Sequence, residues 1–424
     1  MTEGKDRASN LGARGYLIVA VGFLSYFLFS ALMNDSLNQM IPALAAAHNM
    51  DPATLYLFAT PGTVAGILGG IAWGQLMHWK NARMTYVSAL VVTAVFACVW
   101  GNANSYVLYG IGFLMCYFSA VGITSIGLST IIGNWFPKKR GLVMGWATAG
   151  FPLSAAFTSR ITNFFLELNN PTGFYYLIAG LMIALAVIVF FTLRDYPEDM
   201  GCVPDNDPNF DREAAQRDLA AGMEYLKTSK WTVRKVLATP RFWHLWFACG
   251  VLGFSSMGIM TNFFGKFTSM GYTVPEILNL LLVVGLVAIP GSVFIGWLDV
   301  KIGTKKSALI TFVLGIIAIA FLCTTIRPLH YVACPLLSLN LGGASNFGLS
   351  LQAQIWGRYD FKNVLRVMTP LSNVFSGLGI SFVGFVGNSF GFTGAFVATL
   401  ILVTLGFFAM IALKTDPIDP DAVR

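Results

Sequence analysis

Residues 84–137, MTYVSALVVTAVFACVWGNANSYVLYGIGFLMCYFSAVGITSIGLSTIIGNWFP, run 54 positions without a Lys, Arg, Asp or Glu, and the turn KKRG (138–141) closes them. A helix rises 1.5 Å per residue and crosses roughly 30 Å of hydrocarbon in about 20 residues. A run of this length, broken at Gly101-Asn-Ala-Asn-Ser-Tyr106, makes two spans and a short turn. Irregular backbone cannot satisfy its N–H and C=O groups in lipid, so each span is expected to be a helix. The basic turn shows which side of the bilayer the hairpin ends on.

Composition extends this reading outward. Hydrophobic residues make up 56% of the 424, charged residues 11%, and mean hydropathy is +0.67. Soluble domains carry about 25% charged residues. Charge-poor runs recur at 16–34, 53–77, 84–101, 106–132, 142–159 and beyond, and 174–193. After a polar stretch come 242–265, 277–298, 307–326, 331–356, 367–387 and 392–413, which makes twelve expected spans. Lys5, Arg7 and Arg14 ahead of the first run resemble a signal peptide. That run is longer than an h-region and no small-residue cleavage site ends it, so it is read as the first span. The expected fold is an all-α membrane protein of twelve helices in two pseudo-symmetric six-helix bundles.

With an even number of spans, both termini share one side. Of the 27 Lys and Arg residues, 24 fall on that side, the exceptions being Arg160, Lys266 and Arg327. Cytoplasmic loops carry this excess. The expected location is the cell membrane, multi-pass, with both termini cytoplasmic. The net charge of +7 is then explained by topology and anionic lipid rather than by nucleic acid. Six scattered cysteines have no paired spacing for a metal or a disulfide framework, and five sit in apolar runs as small hydrophobes. His48, His244 and His330 fall near span ends and His78 in a loop, with no metal or triad constellation. There is no phosphate-binding loop, and no Ser/His/acid set stands out. Neither an enzyme, a metal nor a cofactor is expected.

Residues 194–239 form the one long connection, with Pro197, Pro204 and Pro208 early and a helical pattern over 211–227. They divide a bundle at 1–193 from one at 240–424. The halves echo each other. Gly74-Gln-Leu-Met-His-Trp-Lys-Asn-Ala-Arg83 follows span 2, and Gly296-Trp-Leu-Asp-Val-Lys-Ile-Gly-Thr-Lys-Lys306 follows span 8. Parallel six-helix repeats with a site at their interface are a transporter architecture. These residues resemble the major facilitator superfamily, whose glycine–acid–basic loop is matched by Gly74 and Arg83 in the first half. Asp299, Gly303 and Lys305 match it in the second. His78 stands where the first copy's acid would be, Asn81 replaces its later glycine, and Asp299 lies one place early. Asn134-Trp-Phe-Pro-Lys-Lys-Arg-Gly-Leu-Val-Met-Gly145 and Leu237-Ala-Thr-Pro-Arg-Phe-Trp243 resemble the oxalate/formate antiporter and monocarboxylate transporter branch. In that branch, basic residues in spans 8 and 11 typically meet the substrate carboxylate. Here Ser292 and Ser372 occupy those places and neither span has a central base.

Intramembrane polar groups are costly and point to function. Arg160 lies 18 residues beyond Leu142, about 27 Å along the helix, and Asp35 lies 19 residues beyond Tyr16, about 28 Å. Both spans start on the cytoplasmic side, so the two opposite charges reach similar depth in the outer half of one bundle. One reading has them facing the cavity within reach of each other or of a shared substrate. The other puts both at the outer headgroup boundary. In the first, Arg160 binds a carboxylate, which a guanidinium matches with two parallel bonds. Asp35 is then the candidate proton carrier. Asn34, Tyr117, Ser125, Asn262, Asn346, Ser350 and Asn373 are further candidate cavity residues, and Lys266 falls at an outer edge. Gly62, Gly66, Gly70 and Gly74 form a ridge expected to slide against span 11 (Gly377, Gly379, Gly384).

The expected function is secondary active transport of a small organic anion, a carboxylate, by alternating access in a monomer. It would be coupled to protons or to exchange, hence a symporter or an antiporter. Two alternatives stay open. A facilitator of neutral or amphipathic metabolites would keep Arg160 and Asp35 as an internal pair. A transporter-like sensor would signal through 194–239.

Overall fold

A computed structural model describes residues 11–137, 139–207, 209–211, 231–356 and 361–418, with the isolated positions 213, 217 and 224. The helical pattern expected over 211–227 and the basic residues Lys138 and Arg358 lie outside the described residues, apart from Asp211 and those three positions. Among the described residues, ten helices are long and apolar enough to cross a membrane. The chain is a multi-pass, all-α membrane protein.

The ten are α1 (Gly12–Asp35), α2 (Pro52–Trp79), α3 (Ala82–Gly101), α4 (Tyr106–Trp135), α6 (Pro171–Thr192), α7 (Pro240–Thr261), α8 (Val274–Ile302), α9 (Thr304–Cys323), α11 (Phe361–Phe390) and α12 (Phe392–Ala412). In α8 and α11 the apolar stretch is part of the helix. Two other helices pack among them: α5 (Gly150–Glu167), preceded by the short helix Arg140–Thr148, and α10 (Arg327–Trp356). These two are where composition falls short of the expected twelve spans. A break at Ala149 divides the fifth, and amides and hydroxyls dilute the tenth.

Helix pairing repeats with a shift of six. In the first half α1 packs on α5, α2 on α4, and α3 on α6; in the second α7 packs on α11, α8 on α10, and α9 on α12. Buried apolar side chains form two clusters, one drawn from residues 11–193 with Ile380, the other from residues 231–413. Two helix starts on the side away from the termini are capped by the local sequence. Asp51 accepts from the amides of Ala53 and Thr54 ahead of Pro52, and Thr273 with Glu276 forms a capping box at α8. The Thr54 hydroxyl, 2.6 Å from the Asp51 carboxylate, is the main cause holding that group below its usual range.

The glycine ridge of α2 faces α4, not α11. A Cβ on Gly62 would meet Phe113 and Tyr117, one on Gly66 Tyr117 and Val121, and one on Gly70 Val121, while Gly74 has nothing within 4 Å. A period of four defines a stripe but not the neighbour that fills it. Gly69, one place off the stripe, allows the closest approach: a Cβ there would collide with the Phe118 carbonyl, which also accepts from Trp73 Nε1 at 3.0 Å. Gly69→Ala is expected to force α2 and α4 apart at about 1–3 kcal/mol. A thermal melt in detergent should show a lower Tm, and an unchanged Tm would contradict this packing.

The loop motif holds each bundle together at the end carrying the termini. Arg83 Nη1 donates to Leu193 O (3.4 Å) and Phe190 O (3.5 Å), and Lys305 Nζ donates to Leu413 O (2.6 Å) and Ile411 O (2.9 Å). Each basic residue therefore neutralises the C-terminal carbonyls of the last helix in its own half. Gly303 carries φ +88°, a conformation that favours glycine, and Asp299 keeps a buried Oδ1 without a hydrogen-bond partner.

Candidate functional site

The first helix of each half breaks at matching depth. In α1 a π-helical turn over Ala31–Asp35 ends at Ser36, and the chain continues as the helix Leu37–His48. Helix α7 ends at Asn262, and the chain continues as the helix Phe263–Ser269. Such irregular turns free backbone groups and often accompany functional positions. A second π-helical segment, Gly122–Leu128, interrupts α4 and carries Thr124 and Ser125.

Asp35 is buried, with 9% of its surface exposed. Its Oδ2 accepts from Ser154 Oγ on α5 (2.6 Å) and Ser30 Oγ on its own helix (2.8 Å). Around it, Tyr117 OH donates to Met33 O (3.3 Å), Asn38 Nδ2 to Asp35 O (3.3 Å), and the Thr162 hydroxyl to Gln39. Neighbouring Asn34 is half-buried. Asn262 is fully buried; its Nδ2 donates to Gly258 O (2.9 Å), while its Oδ1 has no partner.

Arg160 is half-buried and reaches the other half of the molecule. Its Nη1 donates to Leu278 O (3.1 Å) and its Nη2 to Asn279 Oδ1 (3.0 Å), both at the start of α8. Among the described residues no ion pair joins it to Asp35. The structure thus gathers Asp35, Asn34 and Tyr117 and sets Arg160 apart from them. Ser125 and Asn373 are exposed and Ser350 half-buried, none with a hydrogen bond to the Asp35 group. Asn346 lies on α10, and its side chain is outside the described set. Lys266 is at the outer end as expected, yet only 1% exposed, with Nζ donating to Thr393 Oγ1 (2.7 Å) and lying 5.7 Å from the Phe396 ring centre.

Contacts between the halves concentrate away from the termini. Arg160 bridges α5 to α8, and a Cβ on Gly285 would lie 2.5 Å from Ala156 N. In the pseudo-symmetric position, α2 meets α11: Thr60 Oγ1 and Ser381 Oγ are 2.8 Å apart, and Ser381 Oγ donates to Tyr56 O (3.1 Å). Gly377 and Gly384 admit Thr63 and Tyr56 there. Asn38 Oδ1 also accepts from Phe264 N (3.4 Å). These hydrogen bonds between the halves all lie at the end away from the termini. Towards the termini, Gly74 and Gly145 face open space. The bridging contacts form a latch between the halves at the end away from the termini. Ser30, Ser154, Thr60, Asn279 and Ser381 escaped the sequence reading because hydroxyls and amides in helices are common and usually bond their own backbone.

A sequence model described as Major Facilitator Superfamily matches residues 18–357. The oxalate:formate antiporter of Oxalobacter formigenes is 24% identical over 308 residues, 68% of this chain and 65% of that protein. The glucose-6-phosphate exchanger SLC37A2 of Xenopus laevis is 26% identical over 177 residues, 40% of this chain and 33% of that protein. The aligned part thus spans less than two thirds of either relative. A bacterial homologue of the human lysosomal transporter Spinster, solved in an inward-facing and unoccupied conformation, superposes with TM-score 0.70 at 15% identity, covering 95% of this chain and 97% of its own. A point mutant of the nucleoside transporter NupG superposes with TM-score 0.67 at 13% identity, covering 93% and 99%.

Proposed function

Because the chain belongs to the major facilitator superfamily, we propose that it moves a small organic anion, a carboxylate, by alternating access, coupled to protons or to exchange. It is a transporter and not an enzyme. The two bundles, 1–193 and 240–424, are the bodies that rock against each other in a monomer, joined by 194–239. In this reading the molecule is closed on the outer side and opens towards the cytoplasm of a cell membrane, the side assigned by the excess of Lys and Arg.

One observation carries the anion reading. The two opposite charges in the outer half of the first bundle do not neutralise each other: Asp35 is held by hydroxyls and Arg160 by neutral acceptors. An internal Arg160–Asp35 pair, which a carrier of neutral solutes would keep, is not formed. Arg160 is therefore available to a carboxylate when the latch opens, and Asp35 to a proton. Asn34 and Tyr117 near Asp35, and Asn262 at the break of α7, offer hydrogen bonds to the solute. Ser125, Asn346, Ser350 and Asn373 would meet it along the path towards the termini. The relatives' names add support, since one exchanges oxalate for formate and the other exchanges a phosphate ester. A ligand shifts the rocking equilibrium only through different affinity for its two states.

The test is a proteoliposome screen of mono- and dicarboxylates, sugar phosphates and nucleosides, with and without a pH gradient. Saturable carboxylate uptake is the expected result. Uptake confined to nucleosides or other neutral solutes would overturn the anion reading, and solute binding without flux would favour a sensor.

A further inference from the structure

The Asn134–Arg140 turn carries the closest branch resemblance. It touches the connection between the halves. Trp135 Nε1 donates to Arg194 O (2.9 Å) and Asn134 Nδ2 to Asp195 O (3.2 Å). The Asp195 carboxylate in turn accepts from the Arg83 amide (2.7 Å) in the first turn of α3. Further along, Asp205 is 1% exposed, and its Oδ1 accepts from the Lys139 amide (2.8 Å) just ahead of the helix Arg140–Thr148. Lys139 Nζ donates to Asp205 O (2.9 Å). A carboxylate at a helix start satisfies an otherwise orphan amide and complements the helix dipole.

The backbone here is not relaxed. Asp205 and Asn206 hold φ of 57° and 51°, the left-handed region. Two consecutive non-glycine residues persist in that region only where surrounding contacts impose it. Buried Pro197 and Pro204 open two short 3-10 turns, and the Cys202 amide closes back on Pro197 O (3.0 Å). The far end of the connection is fixed separately. Trp231 packs on Trp356 of α10 with ring centres 6.3 Å apart, and Thr232 caps the helix Val233–Ala238.

We propose that the Asn134–Arg140 turn is a cradle that makes residues 194–206 a fixed part of the first bundle, with Asp205 as its positioning residue. The tether between the rocking bodies then begins after Asn206 rather than at the end of α6. The turn serves the motion of the halves and not solute recognition.

The half-buried Cys202 is a reporter within the cradled segment. In the full chain in detergent, its alkylation by a maleimide, followed on its own peptide by mass spectrometry, should be slow. Asp205→Ala is expected to speed it by about fivefold, the population change that a lost helix cap of ordinary strength produces. Asp205→Asn should stay near the wild-type rate, because its amide oxygen still accepts from the Lys139 amide. Trp135→Phe, which deletes the bond to Arg194 O along with part of a buried ring, should also speed labelling. Wild-type labelling rates in both Asp205→Ala and Trp135→Phe would overturn the proposal. So would equal acceleration in Asp205→Asn and Asp205→Ala, because the cap would then not be what holds the segment. None of these readouts depends on which solute is carried.

Discussion

Asp35→Asn is expected to abolish accumulation driven by a pH gradient and to leave exchange of the same solute across the membrane nearly intact. The substitution is chosen for what it preserves. The Asp35 carboxylate accepts from Ser30 and Ser154, and an asparagine oxygen can accept from both in the same place. What it cannot do is change charge. Exchange requires only that the loaded carrier reorient, whereas proton coupling requires a group whose charge differs between the two facing states. With one proton per monoanion, one pH unit sustains roughly a tenfold gradient, equal to about 1.4 kcal/mol. Reconstituted wild type should approach that ratio and Asp35→Asn should stay near unity. Asp35→Ala should fare worse in both assays, because it also strips the partner from two buried hydroxyls. If Asp35→Asn still accumulates solute against its gradient in response to pH, proton coupling lies elsewhere and exchange becomes the stronger reading.

Much of this molecule could be read from residue types alone. The charge-free run at 84–137 gave a hairpin because lipid leaves backbone only two ways to satisfy itself, and one of them is a helix. The loop glycines and bases pointed to two related halves, and the structure explains the bases: Arg83 and Lys305 close the last helix of each half. What stayed hidden depends on three dimensions. Helix period locates the stripe Gly62–Gly66–Gly70–Gly74 but cannot say that α4 fills it. Rise per residue put Arg160 and Asp35 at similar depth. Depth, however, does not fix azimuth, and the two side chains diverge, Asp35 to the interior of its own bundle and Arg160 to α8. The charge-poor runs did place spans at 142–159 and 331–356, although the helices there are not apolar enough in composition to count among the ten. The burial of Lys266 and Asp205 had no signal at all, because a lone charged residue reads as surface until its neighbours are known.

Arg160 carries two roles that one substitution cannot separate, and a pair of variants can. In the state described, its guanidinium ties α5 to α8 through Leu278 O and Asn279 Oδ1. Hydrogen bonds from a charged group contribute about 1.5–3 kcal/mol each when well buried. Arg160 is only half-buried, so the latch as a whole is better placed at about 1–2 kcal/mol. Losing it should shift the closed-to-open balance by roughly 5–30-fold. Asn279→Ala removes the side-chain acceptor and leaves the guanidinium. It should make a cysteine placed at the α5–α8 seam more reactive from the side opposite the termini, while the affinity for the anion changes little. Arg160→Gln removes the charge as well. It should open the same seam and also lower anion uptake by about 100-fold or more, a loss of at least about 2.7 kcal/mol. Its fold should be intact, with a Tm near that of wild type, because the residue sits at a moving interface and not in either buried cluster. Saturable anion uptake retained in Arg160→Gln, with the seam opened, would leave Arg160 as a latch alone. The carboxylate would then have to be met by neutral donors such as Tyr117, whose hydroxyl bonds to Met33 O beside Asp35.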